Sequence, residues 1–157
     1  MRMNRRVLVL AGALVLGATA TVSGVFSQPA QEGTRKAINL PEKSVQAPFS
    51  DAIQVGNTLY LAGRIGLDPK TGKAPEKLED EIKLLLDGDK QVLAQAGMTM
   101  DDLVYVQVFC SDLTLYDKFN AAYKGYFTKD PPARAFIGAG SLLRGGHFEL
   151  QAIAVKR

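Results

Sequence analysis

The strongest constraint on the fold is the order in which two kinds of apolar spacing follow one another along the chain. DAIQV (51–55) and TLYLAGRI (58–65) are extended apolar segments, and Gly56-Asn57 between them is a two-residue hairpin turn. From Glu76 to Ala96 the apolar residues take helical spacing, and Gly97 is a natural C-terminal stop. The chain therefore begins its folded part with a hairpin and continues into a helix.

The remaining segments alternate in the same way. LVYVQVFC (103–110) predicts a buried strand, and Asp112 or Thr114 can cap a second, shorter helix. RAFIGAG (134–140) and HFELQAIAVK (147–156) predict two closing strands. The order β-β-α-β-α-β-β favours an α+β domain with one sheet and two helices on one of its faces.

The last predicted strand has two different faces. The apolar face should pack against the helices and consists of Phe148, Leu150, Ala152 and Ala154. The other face mixes polar and apolar side chains, as does the face of 134–140 that carries Arg134. If these two strands pair, Arg134 and Glu149 share the mixed face. Such a face often packs against another subunit, and a closed ring of such sheets would form clefts at its seams.

Residues 1–27 have the composition of a secretory signal peptide. Arg2, Arg5 and Arg6 precede an uncharged run of about 20 apolar or small residues. An uncleaved anchor is the alternative, because a run of roughly 20 apolar residues can span a bilayer. Residues 28–44 are polar and hold two prolines, which favours a linker, and the folded domain is predicted over 45–157. Cleavage would leave a periplasmic or secreted domain without stable membrane association.

Removal of the signal segment changes the charge balance. The full chain has 19 Lys and Arg against 16 Asp and Glu, and three of the Arg lie in 1–27. The rest of the chain therefore carries 19 − 3 = 16 cationic residues against 16 acidic ones. A protein that binds the phosphates of nucleic acid normally keeps a basic excess, so we expect no nucleic-acid partner.

Cysteine and histidine each occur once. Cys110 cannot form an intramolecular disulfide, and its apolar surroundings (VYVQVFC) favour a small buried residue over a reactive thiol. A lone loop histidine such as His147 is usually solvated. Because no second histidine or neighbouring cysteine accompanies it, His147 predicts no metal site.

Four segments resemble, in order and spacing, the reactive-intermediate deaminase (RidA, YjgF-like) family. They are PFSDAIQVGNTLYLAGRIGLDPKTG, VQVFCSDLTLYDKFNAAYKGYF, PPARAF and FELQAIAVKR. The likeness covers about 48–156, nearly all of the predicted domain. No single piece is specific, whereas the whole set in this order is strongly specific.

The resemblance implies a chorismate-mutase-like α+β subunit that assembles as a homotrimer, with ligand clefts between neighbouring subunits. It implies hydrolysis of 2-imino or enamine acids to 2-oxo acids and ammonia without a cofactor. The P-A-R segment maps the family's essential arginine onto Arg134, and the E-x-x-A-I-A ending maps its water-positioning glutamate onto Glu149. The resemblance also gives four substrate-binding candidates: Phe49, Gly63, Asn120 and Phe136.

Elementary chemistry agrees with these two roles. Arginine grips a carboxylate with parallel N–H donors at fixed geometry and stays charged, which suits Arg134 to a 2-imino acid. Hydrolysis also needs an acceptor that orients water near the C=N carbon, and Glu149 is of the right type. The alternative is that Arg134 and Glu149 form an ion pair at a subunit interface.

Three positions depart from the family pattern and keep other functions open. Phe49 replaces a tyrosine, Ala62 a serine and Phe136 a small residue, so the cleft should be more apolar. One alternative is a trimer that binds a small carboxylate without catalysis. A further alternative is an endoribonuclease, a label often attached to this family, although the neutral charge and the lack of a histidine pair argue against it.

Overall fold

The computed structural model describes residues 33–41 and 47–157, and the predicted signal peptide lies outside these ranges. Short 3-10 turns accompany the helices and strands, whose order is β1 (Arg35–Ile38), β2 (Ala52–Val55), β3 (Thr58–Ile65), α1 (Leu78–Gln95), β4 (Leu103–Cys110), α2 (Tyr116–Tyr123), β5 (Ala133–Gly138) and β6 (Phe148–Val155). No helix within these ranges has the length and apolar character needed to cross a bilayer.

The strands form one mixed sheet in the order β1-β2-β3-β6-β4-β5. Neighbouring strands are antiparallel except β4 and β5, which are parallel and are connected through α2. A parallel pair needs such a crossover, because a tight turn cannot bring the chain back to the same end of the sheet. The predicted mixed sheet with two helices is therefore confirmed.

Strand β1 lies within the segment that was predicted to be a linker. Residues 28–44 were expected to connect two parts of the chain, yet Arg35–Ile38 pairs with β2 along its whole length. The pairing is reinforced where the Leu40 amide donates to Asp51 Oδ2 at 2.9 Å. The linker prediction is therefore wrong for 35–38. The sequence RKAI does not indicate a strand, because the three residues before Ile38 are exposed at the edge of the sheet and show no apolar alternation.

Both helices pack on one face of the sheet. The apolar face of β6 is buried there as predicted, and it shares a core with the apolar stripe of α1: Ile82, Leu85, Leu86, Val92 and Leu93. Helix α1 is continuous from Leu78 to Gln95, although Gly88 lies in its interior. Asp112 caps the 3-10 turn before α2 by accepting a hydrogen bond from the Thr114 amide.

Candidate functional site

Arg134 lies on β5 and points to the side of the sheet that carries the helices. It is in register with Val106 of β4, a core residue, and partners in a ladder project to the same face. Arg134 Nη2 donates a 2.7 Å hydrogen bond to Asn120 Oδ1 on α2. The structure thus brings together two residues that the sequence placed near a common cleft.

Aromatic rings surround the guanidinium. Its carbon Cζ lies 4.7 Å from the ring centre of Tyr123 and 5.4 Å from that of Phe136. Tyr116 and Phe119 lie slightly farther away, at 5.8 and 6.0 Å. Stacking on aromatic rings attracts a cation but does not neutralise it.

Arg134 has no acidic partner within the described ranges. Its hydrogen-bonding partner, Asn120, is neutral, and its second terminal nitrogen, Nη1, is buried without a hydrogen-bond acceptor. A half-buried cation of this kind normally has an anionic or strongly polar partner. The arrangement can therefore receive a carboxylate from outside the chain.

Gly63 and Glu149 meet on the opposite face of the sheet. A β-bulge in β3 between Leu61 and Arg64 breaks the regular pairing with β6 and leaves Gly63 beside the Glu149 side chain. A Cβ at Gly63 would lie only 2.1 Å from Glu149 Oε1, so glycine is what allows the carboxylate to lie there. This face carries no helix.

The prediction that Arg134 and Glu149 share one face of the sheet is wrong for a single chain. Strand β5 pairs with β4 and not with β6, and Glu149 is in register with Phe109, three residues beyond Val106 on β4. Three residues along the strands and two strand spacings across them place the two Cα atoms roughly 14 Å apart. Because the side chains also project to opposite faces, Arg134 and Glu149 form no ion pair within one chain.

The other predicted residues divide between these two groups. Phe136 lies next to Arg134, with its ring edge-on to Tyr116 at 4.9 Å between ring centres. Phe49 precedes β2 and is 57% exposed. Cys110 is buried as predicted, and burial raises the pKa of its thiol, which disfavours the reactive thiolate.

A buried carboxylate that the sequence patterns did not reveal, Glu81, holds the start of β6. Glu81 Oε1 accepts hydrogen bonds from the backbone amides of His147 (2.6 Å) and Phe148 (3.1 Å), and Oε2 lies 2.7 Å from His147 Nδ1. Glu81 is fully buried. Glu81 therefore fixes the start of the strand that carries Glu149. It also pairs with the ring of His147, which was predicted to be solvated.

A second buried carboxylate was also missed. Asp89 Oδ1 accepts a 3.1 Å hydrogen bond from Arg64 Nε, and its Oδ2 is buried without a partner. Burial outweighs the attraction of Arg64 and raises the pKa of Asp89 to about 7. Gly88 makes this approach possible, because a Cβ there would lie 2.8 Å from Arg64 Cδ.

The helix-free face of the sheet is rich in large apolar side chains. Tyr60, Ile153 and Tyr105 form one row across β3, β6 and β4, and the two tyrosines are 49% and 37% exposed. Ile137 on β5 is also exposed. A contiguous apolar surface of this kind is typical of a protein interface.

These features define a class of protein: an α+β domain with an arginine surrounded by aromatic rings on its helix side and a glutamate on the sheet face that carries no helix. The family model described as Endoribonuclease L-PSP matches residues 37–156. A RutC family protein of Pyrococcus abyssi is 36% identical over 110 residues, which cover 69% of this chain and 87% of that relative. The chain therefore belongs to this family, whose members are also named RutC and RidA.

Two further relatives carry more specific names. The 2-iminobutanoate/2-iminopropanoate deaminase of Mus musculus is 36% identical over 110 residues, covering 69% of this chain and 82% of the mouse protein. A crystal structure of E. coli TdcF with bound serine superposes with a TM-score of 0.72 at 26% identity, covering 78% of this chain and 99% of that one. The family match begins at residue 37, inside the range predicted as a linker.

Proposed function

We propose that this protein hydrolyses 2-imino or enamine acids to 2-oxo acids and ammonia, in clefts between the subunits of a homotrimer. The observation that carries the proposal is the Arg134 guanidinium, caged by aromatic rings and without an acidic partner in the described chain. The mouse relative named as an imine deaminase supports the reaction type. The bound serine of TdcF supports a ligand with a carboxylate.

The proposed reaction divides between two residues. Arg134 binds the carboxylate and so fixes the position of the adjacent C=N carbon. Glu149 accepts a hydrogen bond from a water and takes its proton as the oxygen adds to that carbon. Addition to the protonated imine (C=NH2+) gives a tetrahedral carbon that carries a hydroxyl and an amino group. Glu149 then returns the proton to the amino group, the C–N bond breaks and ammonia leaves, and the hydroxyl releases its proton to Glu149, and from there to solvent, as the C=O bond of the 2-oxo acid forms.

The separation of the two residues supports a cleft between chains. Arg134 and Glu149 lie on opposite faces of one sheet, so a single chain cannot present both to one substrate. The apolar face around Tyr60 and Tyr105 is suited to contact with a second copy. In a closed ring, the helix side and edge of one subunit at Arg134 can meet the open face of the next at Gly63 and Glu149.

Replacement of Arg134 by lysine tests the proposal. Lysine keeps the charge but lacks the planar fork, so turnover of 2-iminopropionate generated in situ should fall at least tenfold, or roughly 1.4 kcal/mol. The variant should remain trimeric with a thermal midpoint near that of the parent. Arg35→Lys, on exposed strand β1, is the matched control and should keep full activity.

The contrary results are equally specific. A parent protein that does not accelerate imine decay over buffer, across several amino-acid-derived imines, refutes the deaminase function. If Arg134→Lys instead dissociates to monomers in size-exclusion chromatography, Arg134 is a subunit contact and not a ligand-binding residue.

One observation favours a second candidate, a trimer that binds a small carboxylate without catalysis. Phe136 occupies the position of a smaller family residue, and its ring contacts both Tyr116 and Phe119 beside the guanidinium. This crowding leaves less room for water at the reacting carbon. Calorimetric binding of a 2-oxo acid that disappears in Arg134→Lys, together with no turnover of any imine, would favour this candidate.

A further inference from the structure

Two buried polar atoms near the candidate site lack partners in the described chain. They are the Tyr123 hydroxyl and Arg134 Nη1. Tyr123 is only 4% exposed, and the Arg134 guanidinium carbon lies 4.7 Å from its ring centre. Buried donors without acceptors are rare in folded proteins because each loses its hydrogen bonds to water without replacement. Two such donors on side chains that contact each other therefore call for a common explanation.

Packing does not explain the hydroxyl. The Tyr123 ring stacks on Phe119 at 5.5 Å and meets Phe127 at 4.8 Å between ring centres. Phenylalanine would make the same ring contacts without burying a polar atom. Burial also raises the pKa of Tyr123 to about 12, so the hydroxyl stays protonated and remains a donor at neutral pH.

We propose that Tyr123 is a ligand-binding residue whose hydroxyl donates, together with Arg134 Nη1, to the carboxylate of the bound ligand. This inference rests on the proposed binding of a carboxylate by Arg134. The Arg134–Asn120 hydrogen bond occupies Nη2 and holds the guanidinium with Nη1 as the terminal nitrogen that still lacks a partner. A carboxylate has lone pairs for both donors, whereas a neutral carbonyl would satisfy them less well.

A ligand can reach these atoms past Tyr116. Of the rings around the guanidinium, Tyr116 is the most exposed, at 43%, while Phe119 and Tyr123 are buried. Rotation of an exposed aromatic side chain is fast and disturbs no core packing. The buried rings would stay in place and shield the carboxylate from water, which strengthens both hydrogen bonds.

A pair of hydroxyl deletions three residues apart tests the inference. In Tyr123→Phe, affinity for sodium 2-oxobutanoate, measured by calorimetry, should fall by about tenfold or more, as expected for the loss of one hydrogen bond to a charged group. Its thermal midpoint should equal or exceed that of the parent, because an unpaired buried hydroxyl has been removed. Tyr126→Phe is the control: its hydroxyl donates to Asp87 at 2.9 Å, so the variant should lose stability and keep parental affinity.

Each outcome is decisive. Parental affinity in Tyr123→Phe overturns the inference, as does a lowered midpoint with unchanged affinity, which would show a structural hydroxyl. If the parent binds 2-oxobutanoate but turns over no imine, the deaminase function fails while the role of Tyr123 can still be confirmed by the two variants. If the parent binds no 2-oxobutanoate, both the inference and carboxylate binding by Arg134 are refuted.

Discussion

Replacement of Glu81 by alanine should destabilise the domain more than any surface change on the same helix. The Glu81 carboxylate is fully buried and accepts hydrogen bonds from two backbone amides at the start of β6. In Glu81→Ala no side chain remains to accept from them, and the His147 ring loses its partner as well. The start of the strand that carries Glu149 should therefore loosen.

The size of this effect can be worked out from the two donors. A buried donor left without an acceptor costs roughly 1–3 kcal/mol. The Phe148 amide is buried and should lie toward the upper end, whereas the His147 amide is only partly buried and should lie lower. The sum, roughly 2–5 kcal/mol, is a large fraction of the 5–15 kcal/mol typical of a domain. It corresponds to a fall in thermal midpoint of roughly 10 °C or more.

Urea unfolding and thermal melts of the purified variant measure this loss. Glu79→Ala removes an exposed carboxylate from the first turn of α1 and is the matched control, expected within about 0.5 kcal/mol of the parent. Glu81→Gln keeps one oxygen for the backbone amides and should lose less than half as much as alanine. A Glu81→Ala variant as stable as the Glu79→Ala control would refute the assignment of Glu81 as the group that fixes β6.

Two further predictions concern Asp89 and Gly63. Burial raises the pKa of Asp89 from 3.8 to about 7 in the folded state. The protonated carboxyl group therefore contributes to the free energy of unfolding, fully below about pH 4, and this contribution is lost as the pH rises through 7. Asp89→Asn should abolish this difference between urea melts at pH 4 and pH 8, and an unchanged difference would contradict it. Gly63→Ala should displace the Glu149 carboxylate and lower imine turnover while the melting curve stays near that of the parent. Full turnover in Gly63→Ala would show that the position of Glu149 is not critical.

The sequence predicts the interior strands and both helices because their apolar spacing is regular. It fails at β1, whose residues before Ile38 are polar and exposed at the sheet edge. The sequence also does not predict that Arg134 and Glu149 lie on opposite faces, because the face of Arg134 is set by the pairing of β5 with β4. Strand order is a property of long-range contacts, and alternation within a strand does not report it.

The sequence of α1 does contain a signal for the two buried carboxylates. Glu81 and Asp89 both fall within the buried stripe of α1, where a charged residue is unexpected unless it has a partner. Their partners could not be read from the sequence. Arg64 would face away from the helices under strict alternation with Leu61, and only the bulge turns it toward Asp89.

The central claim is that each cleft takes Arg134 from one chain and Glu149 from its neighbour. Arg134→Lys and Glu149→Gln should each be nearly inactive alone. If the two variants are unfolded, mixed in equal amounts and refolded together, random assembly places an intact Arg134 beside an intact Glu149 in about a quarter of the clefts. We therefore predict recovery of about a quarter of the parental imine turnover. A mixture no more active than the separate variants, despite proven co-assembly, would contradict the claim.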